Sequence, residues 1–366
     1  MQNPYNPLFG RKPERFLGRD LIVHEILSSL ENVNSPWRTT LIIGVRGSGK
    51  TALLTDIDES VKGNDVIVVP ISPETEILDD ILSQVYKKMP STLLSNIAKK
   101  LKVSIGGSLS VELNKNNDAP SFTESFRYQL TLMLDELRKK NYKVLFLVDE
   151  TQKHSDGLRT FIATYQHIIR EKYDVSLVMA GLPNVVSDIL NDKVLTFLRR
   201  ANQVILDNVD LMTVKYDFKD VFLKRFEISE ELIEQAAIET SGYPYLIQLI
   251  GFYLWRNLED GEEEDNAFKK ALMQSKVSMF QNVHKLLYGE MSPSDKEFVA
   301  AMTEDEKTSR FADIIRRTGR SKNYISTYRV RLIDYGYIKS VGHGELQFVL
   351  PYTREFILQE LEQEKI

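Results

Sequence analysis

The residues Gly44-Val45-Arg46-Gly47-Ser48-Gly49-Lys50-Thr51 have the types and spacing needed to hold a chain of phosphates. They fit the pattern G-x-x-x-x-G-K-[ST], in which glycines let backbone N–H groups converge on phosphate oxygens. The apolar run Leu41-Ile42-Ile43 precedes the loop and the helical stretch Ala52–Ser60 follows it. The loop therefore opens a helix, whose N-terminus adds positive potential. Gly44, Gly47, Ser48, Gly49 and Ala52 would line the phosphates, Lys50 would reach the β and γ phosphates, and the Thr51 hydroxyl would ligate Mg²⁺. A rival pattern overlaps it, because Gly47-Ser48-Gly49-Lys50-Thr51-Ala52 also satisfies the dinucleotide fingerprint G-x-G-x-x-[GA]. That fingerprint needs an acid at the end of the next strand to hold ribose, and here that strand runs out into Ile71-Ser72-Pro73.

A second chemical element decides between them. Val144-Leu145-Phe146-Leu147-Val148 is apolar throughout, as a buried parallel strand is, and it ends in Asp149-Glu150. Open α/β sheets bind ligand at the carboxyl ends of their strands. Asp149 would hold the Mg²⁺ shell and Glu150 would orient an attacking water. Together with the Lys-Thr pair this favours a nucleoside triphosphate, and hydrolysis as well as binding.

The elements that must position these groups alternate between short β-rich runs and longer amphipathic stretches from Thr39 to about Asp210, the signature of a parallel sheet with crossover helices. Strands are expected at Thr40–Ile43, Asp65–Pro70, Val144–Val148, Val175–Ala180 and Gln203–Leu206, with a β-hairpin at Lys102–Leu113. Residues 1–35 form an irregular N-terminal linker with a short helix, Leu21–Leu30. After the core at 36–210 the period becomes helical, giving a unit at 211–288 with helices at Val214–Phe226, Ser229–Thr240 and Tyr245–Trp255. The acidic run Glu259 to Asp265 reads as a connecting loop feeding a helix. A last unit, 289–366, reads helix, helix, helix and two short β runs.

Composition sets limits around this reading. The chain has 366 residues, 47 Lys plus Arg against 52 Asp plus Glu, and no cysteine. Disulfides, thiolate metal sites and cysteine nucleophiles are excluded, and the five scattered histidines have no ligand spacing. The longest apolar stretch, Tyr245 to Trp255, falls well short of the roughly 20 residues of a membrane span. No export signal is visible at the N-terminus, so a cytoplasmic location is expected. A net charge of −5 argues against a wholly basic nucleic-acid binder but leaves a local patch open.

These motifs resemble the AAA+/STAND group of ATPases, particularly archaeal-type ATPases and relatives of the archaeal origin-recognition initiators. The resemblance covers nearly the whole chain. It implies an α/β P-loop NTPase fold with a helical lid and a C-terminal winged helix, ATP and Mg²⁺ as ligands, and ATPase activity. Phe16-Leu17-Gly18-Arg19 looks like the family's F-x-G-R element, which would lay Leu17, Gly18 and Arg19 against adenine. Asp149-Glu150-Thr151-Gln152 resembles a D-E-x-Q ending that puts Gln152 near the γ-phosphate. The strand Val175–Ala180 should end in a polar residue touching phosphate or water, and the nearest candidate is Asn184. Leu198-Arg199-Arg200-Ala201 resembles the region supplying an arginine finger in trans, which implies a homo-oligomer; alternatively the two arginines are a solvated helix end. Gly242-Tyr243-Pro244 looks like the G-x-P element, with Pro244 at the nucleotide, in place of the usual lid arginine.

The last unit reads as a winged helix-turn-helix, with Met291–Met302, Ser309–Thr318 and Lys322–Tyr335 as helices and a hairpin of Tyr337–Val341 and Leu346–Leu350. Ile325, Val330 and Ile333 suit its core face. From Met291 onward twelve basic and twelve acidic residues cancel, yet Ile314 to Ile333 holds six basic residues and no acid. Arg316, Arg317, Arg320, Lys322, Asn323 and Arg329 are the candidates for contact with double-stranded DNA. Two uses stand side by side: a DNA-associated regulator, or a signalling or defence switch whose winged helix packs against protein.

Overall fold

The structure, a computed structural model, describes residues 2–8, 10, 12–63, 65–72, 76–94, 97, 122–149 and 156–363. The expected hairpin at 102–113, Glu150 and Gln152 lie outside the described residues. Five apolar runs form β1 (Thr39–Ile43), β2 (Val66–Ile71), β3 (Lys143–Val148), β4 (Val175–Gly181) and β5 (Asn202–Ile205), each within one residue of its expected bounds. They pair in parallel in the order β2-β3-β4-β1-β5.

The strands are apolar on both sides because both faces are covered. On one face, α1 (Asp20–Ser29) and α2 (Lys50–Ser60) bury Ile26, Leu53 and Ile57 against Ile42, Leu145 and Val178. On the other, α3 (Ile77–Lys88), α4 (Phe122–Arg138) and α5 (Asp156–Arg170) bury Ile81, Leu130 and Phe161 against Leu41, Phe146 and Leu177. Since all strands run one way, Gly44 after β1, Asp149 after β3 and Leu182-Pro183-Asn184 after β4 share one edge. The order also removes the dinucleotide reading. β3 and β4 lie between β2 and β1, so the end of β2 is about 14 Å from the phosphate loop and cannot bring a ribose-binding acid to it.

After α6 (Pro183–Asn191) and β5, four helices build a separate core: α7 (Leu211–Phe222), α8 (Glu230–Glu239), α9 (Pro244–Glu259) and α10 (Glu264–Met279). Phe218, Phe222, Ile233, Leu246, Trp255 and Ala271 fill it. The N-terminal segment is part of this unit. Tyr5 is buried among these side chains, edge-on to Phe218 at 5.4 Å, and its hydroxyl donates to Asp217 Oδ2 at 2.9 Å. Gly251 makes the space, since a Cβ there would run into the Tyr5 ring. The segment is fixed further by Gln248, which accepts from Asn6 N–H and donates to the Arg15 carbonyl, each at 2.9 Å.

α10 continues through a π-helical turn, Phe280–His284, into α11 (Lys285–Glu290) and so joins the lid to the last unit. That unit comprises α12 (Pro293–Met302), β6 (Ser309–Arg310), α13 (Phe311–Thr318), α14 (Lys322–Asp334), β7 (Ile338–Gly342), β8 (Glu345–Phe348) and α15 (Thr353–Gln363). The antiparallel sheet runs β6-β8-β7. The helices and the hairpin fall where the sequence pattern put them, with β6 and α15 in addition. Ile325 and Leu332, seven apart on α14, face the core, whereas Val330 is 56% exposed because it lies about 140° round the helix from Ile325.

The joint between lid and C-terminal module is built on His284. Its imidazole is buried, bonds the Pro351 carbonyl at 2.8 Å and stacks on Phe356 at 5.5 Å. Burial, partly offset by that hydrogen bond, pushes its pKa from 6.5 down to about 4. The folded protein therefore holds this histidine neutral. Its contribution is present in full above pH about 6.5 and is lost as pH falls from there toward 4. Urea unfolding at pH 7 and pH 5 should show wild-type losing about 1–2 kcal/mol more than His284→Gln over that interval.

Candidate nucleotide-binding site

β1 hands the chain to the loop at the edge of the sheet, where Gly44 N–H donates to the Gly181 carbonyl of β4 at 3.2 Å. Ser48 N–H donates back to the Val45 carbonyl at 3.3 Å. Gly47 (φ 71°) and Gly49 (φ 90°) are both in the left-handed region, which lets the loop reverse before α2 begins at Lys50. Lys50 Nζ donates to the carbonyls of Gly44 and Val45, both at 2.9 Å. Thr51 and Ala52 are half-buried in the first turn of α2. Asp149, at the end of β3, is two strand spacings from β1, about 10 Å.

The residues fit a nucleotide. Among the described residues, the Ser48 hydroxyl and the Asn184 amide oxygen are buried without a hydrogen-bond partner, and both lie on this edge. No group of three or more His, Cys, Asp or Glu among the described residues could hold a metal alone. Mg²⁺ held by Thr51, Asp149 and nucleotide oxygens is consistent with that, since this ion usually binds through one or two protein ligands plus phosphates.

Phe16-Leu17-Gly18-Arg19 runs beside the loop. The Phe16 ring would lie 3.1 Å from a Cβ on Gly49, and Gly18 (φ 70°) faces Val209. Leu17 packs on the lid core, and Arg19 is only 7% exposed, its Nη2 donating to the Asp207 carbonyl at 2.6 Å. This segment thus joins the phosphate loop to the linker that leads into the lid.

The lid turn reaches the loop itself. Gly242 (φ 68°) accepts from Val209 N–H at 2.7 Å, and Tyr243 donates its hydroxyl to the Arg46 carbonyl at 2.5 Å. Pro244 follows, half-buried, in the first turn of α9. The C-terminal module reaches it too. Arg46 Nη2 donates to Glu290 Oε1 at 2.8 Å, and a Cβ on Gly336 would meet Val45 at 2.8 Å and Pro183 at 3.5 Å.

The remaining basic candidates divide by partner. Arg199 Nε donates to the Leu190 carbonyl near the end of α6, at 2.8 Å; Arg200 is exposed and makes no ion pair among the described residues. In the module, Arg317 is committed to Asp305, to Glu304 at 2.9 Å and to the Ala301 carbonyl at 2.9 Å. Arg316 pairs with Asp313 at 2.9 Å, Arg320 with Glu297 at 3.1 Å and Arg331 with Asp295 at 3.0 Å. Arg329 lies over the Phe311 ring at 5.2 Å. Lys322 and Asn323 are exposed at the start of α14. Four of the six basic residues between 314 and 333 are thus already paired with acids. Arg46 and Tyr243 fell at unassigned positions within sequence motifs, and Glu290 and Gly336 in none, because contacts across the chain leave no mark in local spacing.

A five-stranded parallel sheet carrying this loop, with an acid ending the strand two places away, defines a P-loop nucleoside triphosphatase. Residues 15–178 match the family described as AAA ATPase domain, and residues 281–357 match a domain of unknown function. The Walker-type ATPase of Pyrococcus abyssi is similar over 94% of this chain and 97% of its own, with a TM-score of 0.64 and 18% identity. The ORC2 protein of Aeropyrum pernix, solved as ADPNP–ADP complexes, is similar over 96% of each chain, with a TM-score of 0.48 and 13% identity. No curated protein matches this chain. Residues 15–178 thus carry an AAA ATPase domain, and the activity this supports is that of an ATPase.

Lys50→Ala removes the cation at the loop, and with it the hydrogen bonds to the Gly44 and Val45 carbonyls. Calorimetric titration should show ATP affinity falling by at least about tenfold, with the melting temperature changed by only a few degrees.

Proposed function

We propose that this AAA+ ATPase is a nucleotide-operated switch whose C-terminal module is docked on the phosphate loop and changes its docking when ATP is bound and hydrolysed. Lys50 takes the β and γ phosphates, Thr51 and Asp149 hold Mg²⁺, and Glu150 orients the attacking water, with Gln152 close to the γ-phosphate. Leu17, Gly18, Arg19 and Pro244 bound the adenine side, between core and lid. The observation that carries the reading is the double contact made with the loop, Arg46 with Glu290 at the end of the connecting helix α11 and Val45 with Gly336 of the module. Residues of the phosphate loop itself are the ones touched.

The ion pair is half-exposed on both sides and so contributes modestly, on the order of 0–1 kcal/mol. A docked state held this weakly is one that phosphate binding can shift. Small-angle scattering should show a larger radius of gyration for the ATP-bound wild-type chain, and for nucleotide-free Glu290→Arg, in which Arg46 meets a like charge. Unchanged scattering in both cases would sink the switch.

Contact with double-stranded DNA is a second reading, favoured by the exposed start of α14, where Lys322, Asn323 and Thr327 face outward. Arg316 and Arg320 can add to it only by giving up Asp313 and Glu297. Duplex DNA bound at this face should raise the ATPase rate.

An arginine supplied in trans completes the site in this proposal, and Arg200 is the better candidate because Arg199 is occupied at the end of α6. Arg200→Ala should lower turnover at least about tenfold and abolish its steeper than linear dependence on protein concentration. Arg199→Ala should chiefly lower the melting temperature. A linear rate in the wild type would remove the oligomeric part of the proposal.

A further inference from the structure

We infer that Tyr243, a lid residue, is a positioning residue of the ATPase site: its hydroxyl sets the direction in which the Gly47 N–H is presented to phosphate. The inference rests on the reading that this loop binds ATP phosphates. A trans peptide is planar, with its C=O and N–H pointing in opposite directions. Tyr243 donates to the Arg46 carbonyl, so the N–H of the same peptide, which belongs to Gly47, is turned away from the tyrosine. If that peptide flipped, a carbonyl oxygen would point where the anion is to be held. Gly47 is in the left-handed region and has no side chain to resist such a flip, so the hold must come from outside the loop.

The hold is built rather than incidental. Tyr243 is 1% exposed, and a Cβ on Gly47 would overlap its hydroxyl and lie 3.1 Å from Tyr245 Cβ. The turn presenting Tyr243 is fixed in its own right: Gly242 N–H donates to Thr240 Oγ1 at 3.1 Å, and the Gly242 carbonyl accepts from Val209 at 2.7 Å. A Cβ on Gly242 would strike the Val209 carbonyl, so glycine is required there as well. The ring belongs to the lid core, and the hydroxyl is the part that touches the loop. The lid's contribution to phosphate binding therefore passes through a neutral hydroxyl acting on the backbone, in place of a cation acting on the phosphate.

The experiment uses the full chain, with ATP, ADP and AMP competing against a fluorescent ADP analogue in the presence of Mg²⁺. Wild-type binding of ATP is established first; its absence would overturn the nucleotide reading and this inference with it. In Tyr243→Phe, which keeps the ring, affinities for ATP and ADP should fall roughly three- to tenfold while AMP affinity and the melting temperature stay as in the wild type. Equal losses for all three nucleotides together with a lowered melting temperature would make Tyr243 a packing residue only. Unchanged affinities in Tyr243→Phe would equally overturn the inference.

Discussion

A loop that turns its N–H groups toward phosphate leaves its carbonyls facing the protein, and each buried carbonyl needs a donor. Here the donors come from three places. Lys50 takes the Gly44 and Val45 carbonyls, the Ser48 N–H also reaches Val45, and the lid supplies Tyr243 for Arg46. The loop's conformation is therefore completed by a side chain from a different folding unit. The glycines follow from the same constraint: Gly47 and Gly49 need left-handed backbone, and a Cβ at Gly44 or Gly47 would collide with Ser48 or Tyr243.

Around that loop, segments far apart in the chain converge, and they differ in how firmly they hold. The N-terminal segment is anchored by the buried Tyr5 in the lid core and by Arg19 at the linker carbonyl, so core and lid are tied by groups that cannot leave cheaply. The C-terminal module touches the loop through a half-exposed ion pair and the close approach of Gly336 to Val45. The contact of the module with the loop is thus lighter than that of the lid, while its own joint to the lid, at His284 and Leu350, is buried.

The parallel sheet, its crossover helices and the phosphate loop were legible in the sequence because each is a local pattern: apolar runs, amphipathic periods, glycines at fixed spacing. What was not legible depends on contacts across the chain. Tyr243 and Arg46 are 197 residues apart. Gly336 reads as an ordinary turn glycine until Val45 is seen against it. The basic window from 314 to 333 contains no acid in sequence, yet acids from α12, from the segment after it and from the start of α13 neutralise most of it in space. Charge counted along a chain is not charge on a surface. Val330 failed for a simpler reason, since two positions on one helix share a face only when their angular separation is small.

The two uses considered for the module need not exclude each other, and the geometry of α14 is the reason. Its end meets the ATPase: α14 lies against α6, and Gly336, just beyond it, rests on Val45 and Pro183. Its beginning, with Lys322 and Asn323, is exposed. Thirteen helical residues separate the two ends by about 18 Å. A partner can therefore engage the start of the helix while its end remains docked. A partner that bound the docked and undocked states unequally would shift the balance between them, and by linkage its effect on nucleotide affinity would equal the effect of nucleotide on its own. The coupling is limited by the energy of the docking contact, and the light attachment of the module sets that limit low.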